Sequence, residues 1–190
     1  GCAGMSWLIQ VAVPKHLGDA VLALPALRTL VGIPGTSVTI VCGSELVLDL
    51  LGDQGPWQRS SRFETAVDSI AVLLAPSFRV ALQARAAGIG TRIGLASDRR
   101  SLLLSHVVPG PQRPLPRKGL PSLLVDEHQQ ASYQRIIRFT LDLLGCSEVE
   151  RDAARMTYQV GQHARDQAAS FWEQAGKPSV LLHPYARGLA

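Results

Sequence analysis

Residues 7–31, WLIQVAVPKHLGDAVLALPALRTLV, decide the fold. Trp7 to Val13 form a nearly continuous apolar run with branched side chains, the pattern of a strand covered on both faces of a parallel sheet. Pro14, Lys15, His16, Leu17 and Gly18 interrupt the run, and a helical stretch opens at Asp19 and continues through AVLALPALRTLV. Pro25 falls inside that stretch, where its ring clashes with the carbonyl of Val21, so a kink or a restart of the helix is expected there. A buried strand, a tight turn and a helix in this order open a βαβ unit.

The same alternation continues outward. Gly32, Pro34 and Gly35 end the helix, and Ser37 to Cys42 (SVTIVC) is a second β-branched run, followed by Gly43, Ser44 and a helical ELVLDLL. Residues 53–62 are polar and turn-rich and read as a connection. Ser69 to Leu74 (SIAVLL) returns to the buried-strand pattern and leads into the helix FRVALQARAA, with Ser77 as its cap and Gly88 as its stop. Thr91 to Leu95 reads as a fourth short strand. Five prolines between Pro109 and Pro121, with Arg113, Arg117 and Lys118 among them, favour an extended surface loop. Asp126 to Leu144 is the clearest long helix, with Tyr133, Ile136, Ile137, Leu141 and Leu144 at helical spacing and Gly145 as terminator. A further helix is expected from His163 to Ala175, and Ser179 to Leu182 reads as the first strand of a new unit. The expected fold is therefore α/β, a mostly parallel Rossmann-like sheet with flanking helices. One domain spans residues 5–160, and residues 161–190 supply a linking helix and the first strand of a truncated second domain.

Composition narrows the functions open to such a chain. With 190 residues, 46% of them hydrophobic and 18% charged, the chain can bury a sizeable core and is not a disordered sequence. A net charge of +4 favours an anionic partner without identifying one. Aromatic residues make up only 5% and are not interleaved with the scattered Lys and Arg residues, which argues against a nucleic-acid stacking platform. Cys2, Cys42 and Cys146 lack the paired spacing of a zinc or redox site, so reduced thiols in a cytoplasmic protein are expected. The apolar N-terminal run is too short to span a bilayer and has no basic leader. No Gly-rich phosphate loop or dinucleotide fingerprint follows the first strand, and there is no Gly-x-Ser-x-Gly elbow. An ATPase, a dehydrogenase and an α/β hydrolase are thereby disfavoured.

In a doubly wound sheet, ligands bind at the carboxyl ends of the strands, so the turns after the first and third expected strands are where chemistry is sought. Gly18 lets the backbone pass close to a ligand, and Asp19 projects a carboxylate at the start of a helix, where it can take a proton from a hydroxyl. Local pattern alone favours Asp19 as a helix cap over Asp19 as a base. Ser77 and Arg79 occupy the equivalent turn after the third strand and can hold a carboxylate or phosphate, although a capping serine followed by a solvated arginine is the plainer reading. Arg92, Arg99 and Arg100 add cations whose default is a solvated face. His16 and His128 have no metal-ligand spacing around them.

Three ordered blocks carry a resemblance: VAVPKHLGDAVLALPALRTL, LLAPSFRVALQARAAGIGTRIGLASDRRSLLLSHVVP and EHQQASYQRIIRFTLDLLG. Together they resemble the bacterial ADP-heptose:lipopolysaccharide heptosyltransferases of glycosyltransferase family 9. The second block is most similar to the heptosyltransferase II branch. The resemblance implies the N-terminal, acceptor-side half of a two-domain GT-B glycosyltransferase that moves heptose from ADP-heptose to the lipopolysaccharide inner core. It also implies that Asp19 is the general base of an inverting displacement, with no metal or other cofactor, and that Lys15 and Gly18 lie near the reacting centre. Ser77, Arg79 and Arg99 or Arg100 would line the acceptor site, and His183 and Arg187 would open the donor domain, although Tyr185 stands where the family has a small residue. The partners implied are the lipopolysaccharide core acceptor and the nucleotide-activated heptose, at a cytoplasmic location that leaves room for peripheral contact with the inner membrane. A non-catalytic sugar-phosphate or nucleotide-binding domain of the same fold is the alternative. Since the family is about twice as long as a single domain, the 190 residues alone are expected to lack transferase activity.

Overall fold

The computed structural model describes residues 6–66, 68–96, 99–110 and 123–149, of which 123–128 by backbone alone, and the helical positions Arg165, Asp166, Ala169, Ser170 and Glu173. The chain divides into two compact units, Gly1–Tyr158 and Gln159–Ala190. In the second unit the described residues are the five helical positions, which fall inside the helix expected from His163 to Ala175. The strand expected at 179–182, His183, Arg187 and most of the proline-rich stretch lie outside the described residues.

The first unit is a six-stranded, entirely parallel sheet in the order β3-β2-β1-β4-β5-β6. Its strands are β1 (Trp7–Ala12), β2 (Thr36–Val41), β3 (Gln58–Ser60), β4 (Ser69–Leu73), β5 (Thr91–Leu95) and β6 (His106–Val108). The helices are α1 (Leu17–Leu22), α2 (Leu24–Val31), α3 (Glu45–Gly52), α4 (Phe78–Ala86) and α5 (Leu123–Leu143), with a 3-10 turn at Arg100–Leu102. This is the α/β Rossmann-like architecture that the alternation of elements predicts. The chain builds β2 and β3 on one side of β1 and then crosses to the other side for β4, so the strand order reverses between β1 and β4. In open parallel sheets a reversal of this kind leaves a crevice at the strand carboxyl ends.

Pro25 acts as its chemistry requires. The helical stretch breaks at Ala23, and Pro25 sits in the first turn of the restarted helix, where its missing N–H costs nothing. Gly88 and Gly145 follow α4 and α5 with φ of +78° and +67°, a left-handed conformation that glycine adopts without a side-chain clash.

The core has two layers because alternate residues of each strand face opposite sides. Ile9, Val11, Val38, Ile40, Val72 and Ile93 pack with Ala20, Leu24, Leu27 and Leu51 and with the α5 stripe Tyr133, Ile136, Ile137 and Leu141. Ala12, Val41, Ala71 and Leu73 pack on the other side with Ala81 and Ala84 of α4 and with Ile89, Leu103 and Leu104. Gln10, inside β1, is 1% exposed and fully used. Its Nε2 donates to the Glu64 carbonyl at 2.9 Å and to Ser69 Oγ at 3.2 Å, and its Oε1 accepts from the Glu64 N–H at 2.8 Å. A buried amide satisfied in this way pins the segment before β4 across β1.

Three elements correct the sequence reading. β3 lies within the polar stretch 53–62, and β6 and the 3-10 turn lie between the fourth expected strand and the proline-rich stretch, where the sequence marks no element. β3 and β6 are three residues each and pair on one side only, so they lack the long apolar run that marks a two-sided strand. The cysteine expectation also changes: Cys42 is a free, buried thiol, whereas Cys146 is disulfide-bonded. Among the described residues no helix is long and apolar enough to cross a membrane.

Tyr133 of α5 is 2% exposed, and its hydroxyl accepts a hydrogen bond from Gln129 Nε2 at 2.8 Å. Burial pushes this phenol above the usual tyrosine range; the Gln129 hydrogen bond opposes the shift and the negative charge of Asp19 adds to it. Below a pH of about 10 the phenol is protonated in both states and contributes nothing, but above it the unfolded chain releases a proton that the fold retains. Stability is therefore expected to fall with a Tyr133 contribution of about 1.4 kcal/mol per pH unit above about pH 10. Urea unfolding across that range, with Tyr133→Phe as the comparison, reads the slope directly, and an unchanged slope in the variant contradicts the assignment.

Candidate functional site

The crevice lies where the sheet order predicts. Turns leaving β1, β2, β3 and β4 surround a cavity of about 560 Å³. The β1–α1 turn contributes Lys15, His16 and Asp19, the β2–α3 turn Cys42 and Ser44, the segment after β3 Ser61 and Phe63, and the β4–α4 turn Ser77, Arg79 and Gln83. The floor is held by backbone: the N–H groups of Leu74 and Ala75 both reach the Ala12 carbonyl at 3.0 Å, and the Val13 N–H reaches the Val41 carbonyl at 3.1 Å. Three neighbouring strands thus fix the bases of the turns that carry the polar side chains.

Asp19 is half-buried and is the only carboxylate among the described residues lining this cavity. α1 begins two residues earlier than the sequence suggests, so the cap position belongs to His16 and the carboxylate does not occupy it. Among the described residues Asp19 has no hydrogen-bond or ion-pair partner. The competing explanation of Asp19 as the helix N-cap is thereby removed. Lys15 and Arg79, both exposed, line the same cavity and bring positive charge to it. Gly18 is exposed, and a Cβ added there would meet nothing within 4 Å. The packing therefore does not demand glycine at that position.

Ser77 stands at the α4 cap position in an extended conformation, but its side chain makes no capping hydrogen bond. The same is true of His16 before α1 and Ser44 before α3. All three side chains line the crevice instead. The sequence does not single out Ser44, Ser61 or Gln83, and it marks His16 only by the lack of metal-ligand spacing around it. The available signal was position, since the turn after the second strand is equivalent to the two that were chosen.

Of the acceptor-side residues expected from the sequence, the structure brings Ser77 and Arg79 to the crevice and leaves Arg99 and Arg100 outside its lining. Arg100 is fully buried. Its Nε donates to the Leu95 carbonyl at 2.8 Å and its Nη1 to the Ala75 carbonyl at 2.5 Å, tying the end of β5 to the end of β4. The expectation of a solvated or anion-facing Arg100 is corrected: its side chain is fully buried, and two of its nitrogens donate to backbone carbonyls beneath the β4–α4 turn. Arg99 is exposed in the left-handed conformation, with φ of 57°. Arg92 is held by the carbonyls of Ile89, Gly90 and Leu103. Burial, and then the nearby Arg85 charge, lower its proton affinity. A shallower depression of about 510 Å³ adjoins the crevice through Phe63 and Gln83 and is lined also by Arg62, Glu64 and Thr65. It lies off the strand ends.

The two arginines should separate in a stability measurement. Arg100→Ala is expected to cost about 3 kcal/mol in urea unfolding, because buried charge-assisted hydrogen bonds are lost and their carbonyls are stranded. Arg79→Ala is expected to stay within about 0.5 kcal/mol of the parent. Equal costs at the two positions would contradict this division.

No protein-family model and no curated protein sequence matches the chain. Solved structures do. A glycosyltransferase family 9 protein from Veillonella parvula DSM 2008 is 16% identical with a TM-score of 0.60, the match covering 94% of this chain and 53% of that one. The E. coli heptosyltransferase WaaC with ADP is 13% identical with a TM-score of 0.56, covering 82% and 52%. E. coli ADP-heptose lps heptosyltransferase II is 16% identical with a TM-score of 0.54, covering 88% and 50%. The chain spans about half the length of each of these proteins, and at such identities what it shares with these glycosyltransferases is the Rossmann-like α/β fold.

Proposed function

We propose that this chain supplies the acceptor-side wall of an inverting, metal-independent glycosyltransferase, with ADP-heptose as donor and the lipopolysaccharide inner core as acceptor. The observation that carries the reading is the placement of Asp19: a half-buried carboxylate at the strand-order reversal, without a hydrogen-bond or ion-pair partner among the described residues, on a fold shared with heptosyltransferases. In this scheme Asp19 takes the proton of an acceptor hydroxyl as its oxygen attacks the anomeric carbon. The bond from that carbon to the ADP phosphate oxygen breaks in the same step, ADP leaves with the electron pair, and configuration inverts. A single carboxylate suits one displacement, whereas a double displacement through a covalent glycosyl–enzyme asks for a second group as nucleophile. Lys15 and Arg79 draw an anionic acceptor toward the base, and Ser77 offers its hydroxyl to the same ligand.

Donor contacts belong to the second wall of the cleft. His183 and Arg187 are proposed there by resemblance alone, and both lie outside the described residues. The reaction needs donor and acceptor held together, so the 190-residue chain by itself is proposed to be inactive. Isothermal titration with ADP-heptose is expected to show no micromolar binding by this chain, and such binding would contradict the division of labour.

The base is tested in a two-domain protein that carries this half. Asp19→Ala is expected to lower kcat by about 10²- to 10⁴-fold, the range removed with a general base, while the fold is retained. Transfer at the parent rate would instead favour a crevice that only binds its sugar.

A further inference from the structure

The depression beside the crevice has walls that the catalytic reading leaves unused. It is lined by Arg62, Glu64 and Thr65 of the segment after β3 and by Ala86 at the end of α4, and it shares Phe63 and Gln83 with the crevice. Three polar side chains hold the main chain of that segment. The Ser60 hydroxyl donates to the Arg62 carbonyl at 2.7 Å and accepts from the Arg62 N–H at 3.3 Å. The buried Gln10 amide takes both main-chain groups of Glu64, and Ser69 Oγ donates to the Ala66 carbonyl at 2.7 Å. A glutamine is tolerated inside β1 because each of its polar groups is matched, and what its bonds secure is this wall.

The main chain is fixed, but the side chains it presents are uncommitted. Phe63 is buried in the layer of Ala12, Val41 and Ala81, whereas Arg62, Glu64, Thr65 and Gln83 are exposed. Among the described residues the side chains of these four have no hydrogen-bond or ion-pair partner. A guanidinium, a carboxylate, a hydroxyl and an amide together accept from and donate to the alcohols of a sugar ring, and Phe63 and Ala86 offer apolar surface to its C–H face. Among the described residues Arg62 and Glu64 leave the depression without net charge, whereas Lys15 and Arg79 outnumber Asp19 in the crevice. Glu64 therefore opposes a phosphate or carboxylate in the depression, while the crevice admits one.

We propose that the depression is a second acceptor subsite, which takes an uncharged sugar ring attached to the anionic ring held in the crevice, with Arg62 and Glu64 as the residues that select it. Phe63 and Gln83 line both cavities, so a ligand passes from one to the other along the same two side chains. The inference rests on the reading of the crevice as an acceptor site and adds that the acceptor carries at least two sugar rings.

Isothermal titration of the 190-residue chain tests it with two probes, a heptose phosphate and the disaccharide made by joining an uncharged heptose to it. The parent is expected to bind the disaccharide about tenfold more tightly than the monosaccharide, and Arg62→Ala and Glu64→Ala each to cut that ratio to about twofold. Gln10 and Ser60 reach Glu64 and Arg62 through the main chain, so circular dichroism is expected to show the parent fold in both variants. A parent ratio near one, or a variant ratio equal to the parent's, overturns the subsite and leaves the acceptor reading of the crevice standing. So does an equal gain from a disaccharide whose added ring carries a carboxylate. Binding of neither probe removes the acceptor reading and the subsite together.

Discussion

β1 is the constraint on which the rest depends. It is paired in parallel on both edges, to β2 over six residues and to β4 over five, and it is covered on both faces. A strand satisfied in this way cannot slip by one residue without turning Ile9 and Val11 out of one layer and Gln10 and Ala12 out of the other. Its carboxyl end is therefore fixed, and with it the β1–α1 turn that carries Lys15, His16 and Asp19. The position of the carboxylate follows from the register of a buried strand and does not require a bond of its own. This explains how a half-buried aspartate stays in place without a hydrogen-bond or ion-pair partner among the described residues.

The same logic accounts for the opposite wall. β4 ends beside β1, and the N–H groups of Leu74 and Ala75 converge on one carbonyl, that of Ala12. Arg100 then anchors the Ala75 carbonyl from below. A buried guanidinium that donates to main-chain carbonyls is costly to place and difficult to replace, which suits a part of the fold whose task is to keep a turn in position. Ser77 and Arg79 follow that turn and line the crevice. Among the described residues the crevice lining holds two cations, Lys15 and Arg79, and one carboxylate, a set that suits an anionic ligand that also presents a hydroxyl, and a phosphorylated sugar has both features.

The main layers of the fold were legible because they rest on long patterns. Two-sided burial made β1, β2 and β4 nearly continuous apolar runs, and Pro25, Gly88 and Gly145 punctuate their helices as backbone chemistry demands. β3, with the sequence QRS, was not legible, since a short edge strand is held by backbone bonds to one neighbour and needs no apolar side chains. Gln10 within β1 and Arg100 after β5 were opaque for a related reason: the partners that satisfy them are carbonyls and hydroxyls from distant segments, and local sequence does not encode such contacts. At the site, Asp19 and Arg79 follow from their turns, whereas Ser44 and Ser61 become visible only when the sheet order brings the ends of β2 and β3 to the same edge as the end of β1. α1 starts two residues before the sequence pattern suggests, and that shift separates a capping aspartate from one that lines the crevice.

Backbone NMR of the chain titrated with a phosphorylated inner-core lipopolysaccharide oligosaccharide addresses the central claim most directly. The account predicts that the perturbed amides cluster at Lys15–Asp19, Ser44 and Ser77–Gln83, around the carboxyl ends of β1, β2 and β4. Perturbations confined to the depression beside Arg62, Glu64 and Thr65, or spread over the far side of the sheet with Asp19 and its neighbours unmoved, would contradict it.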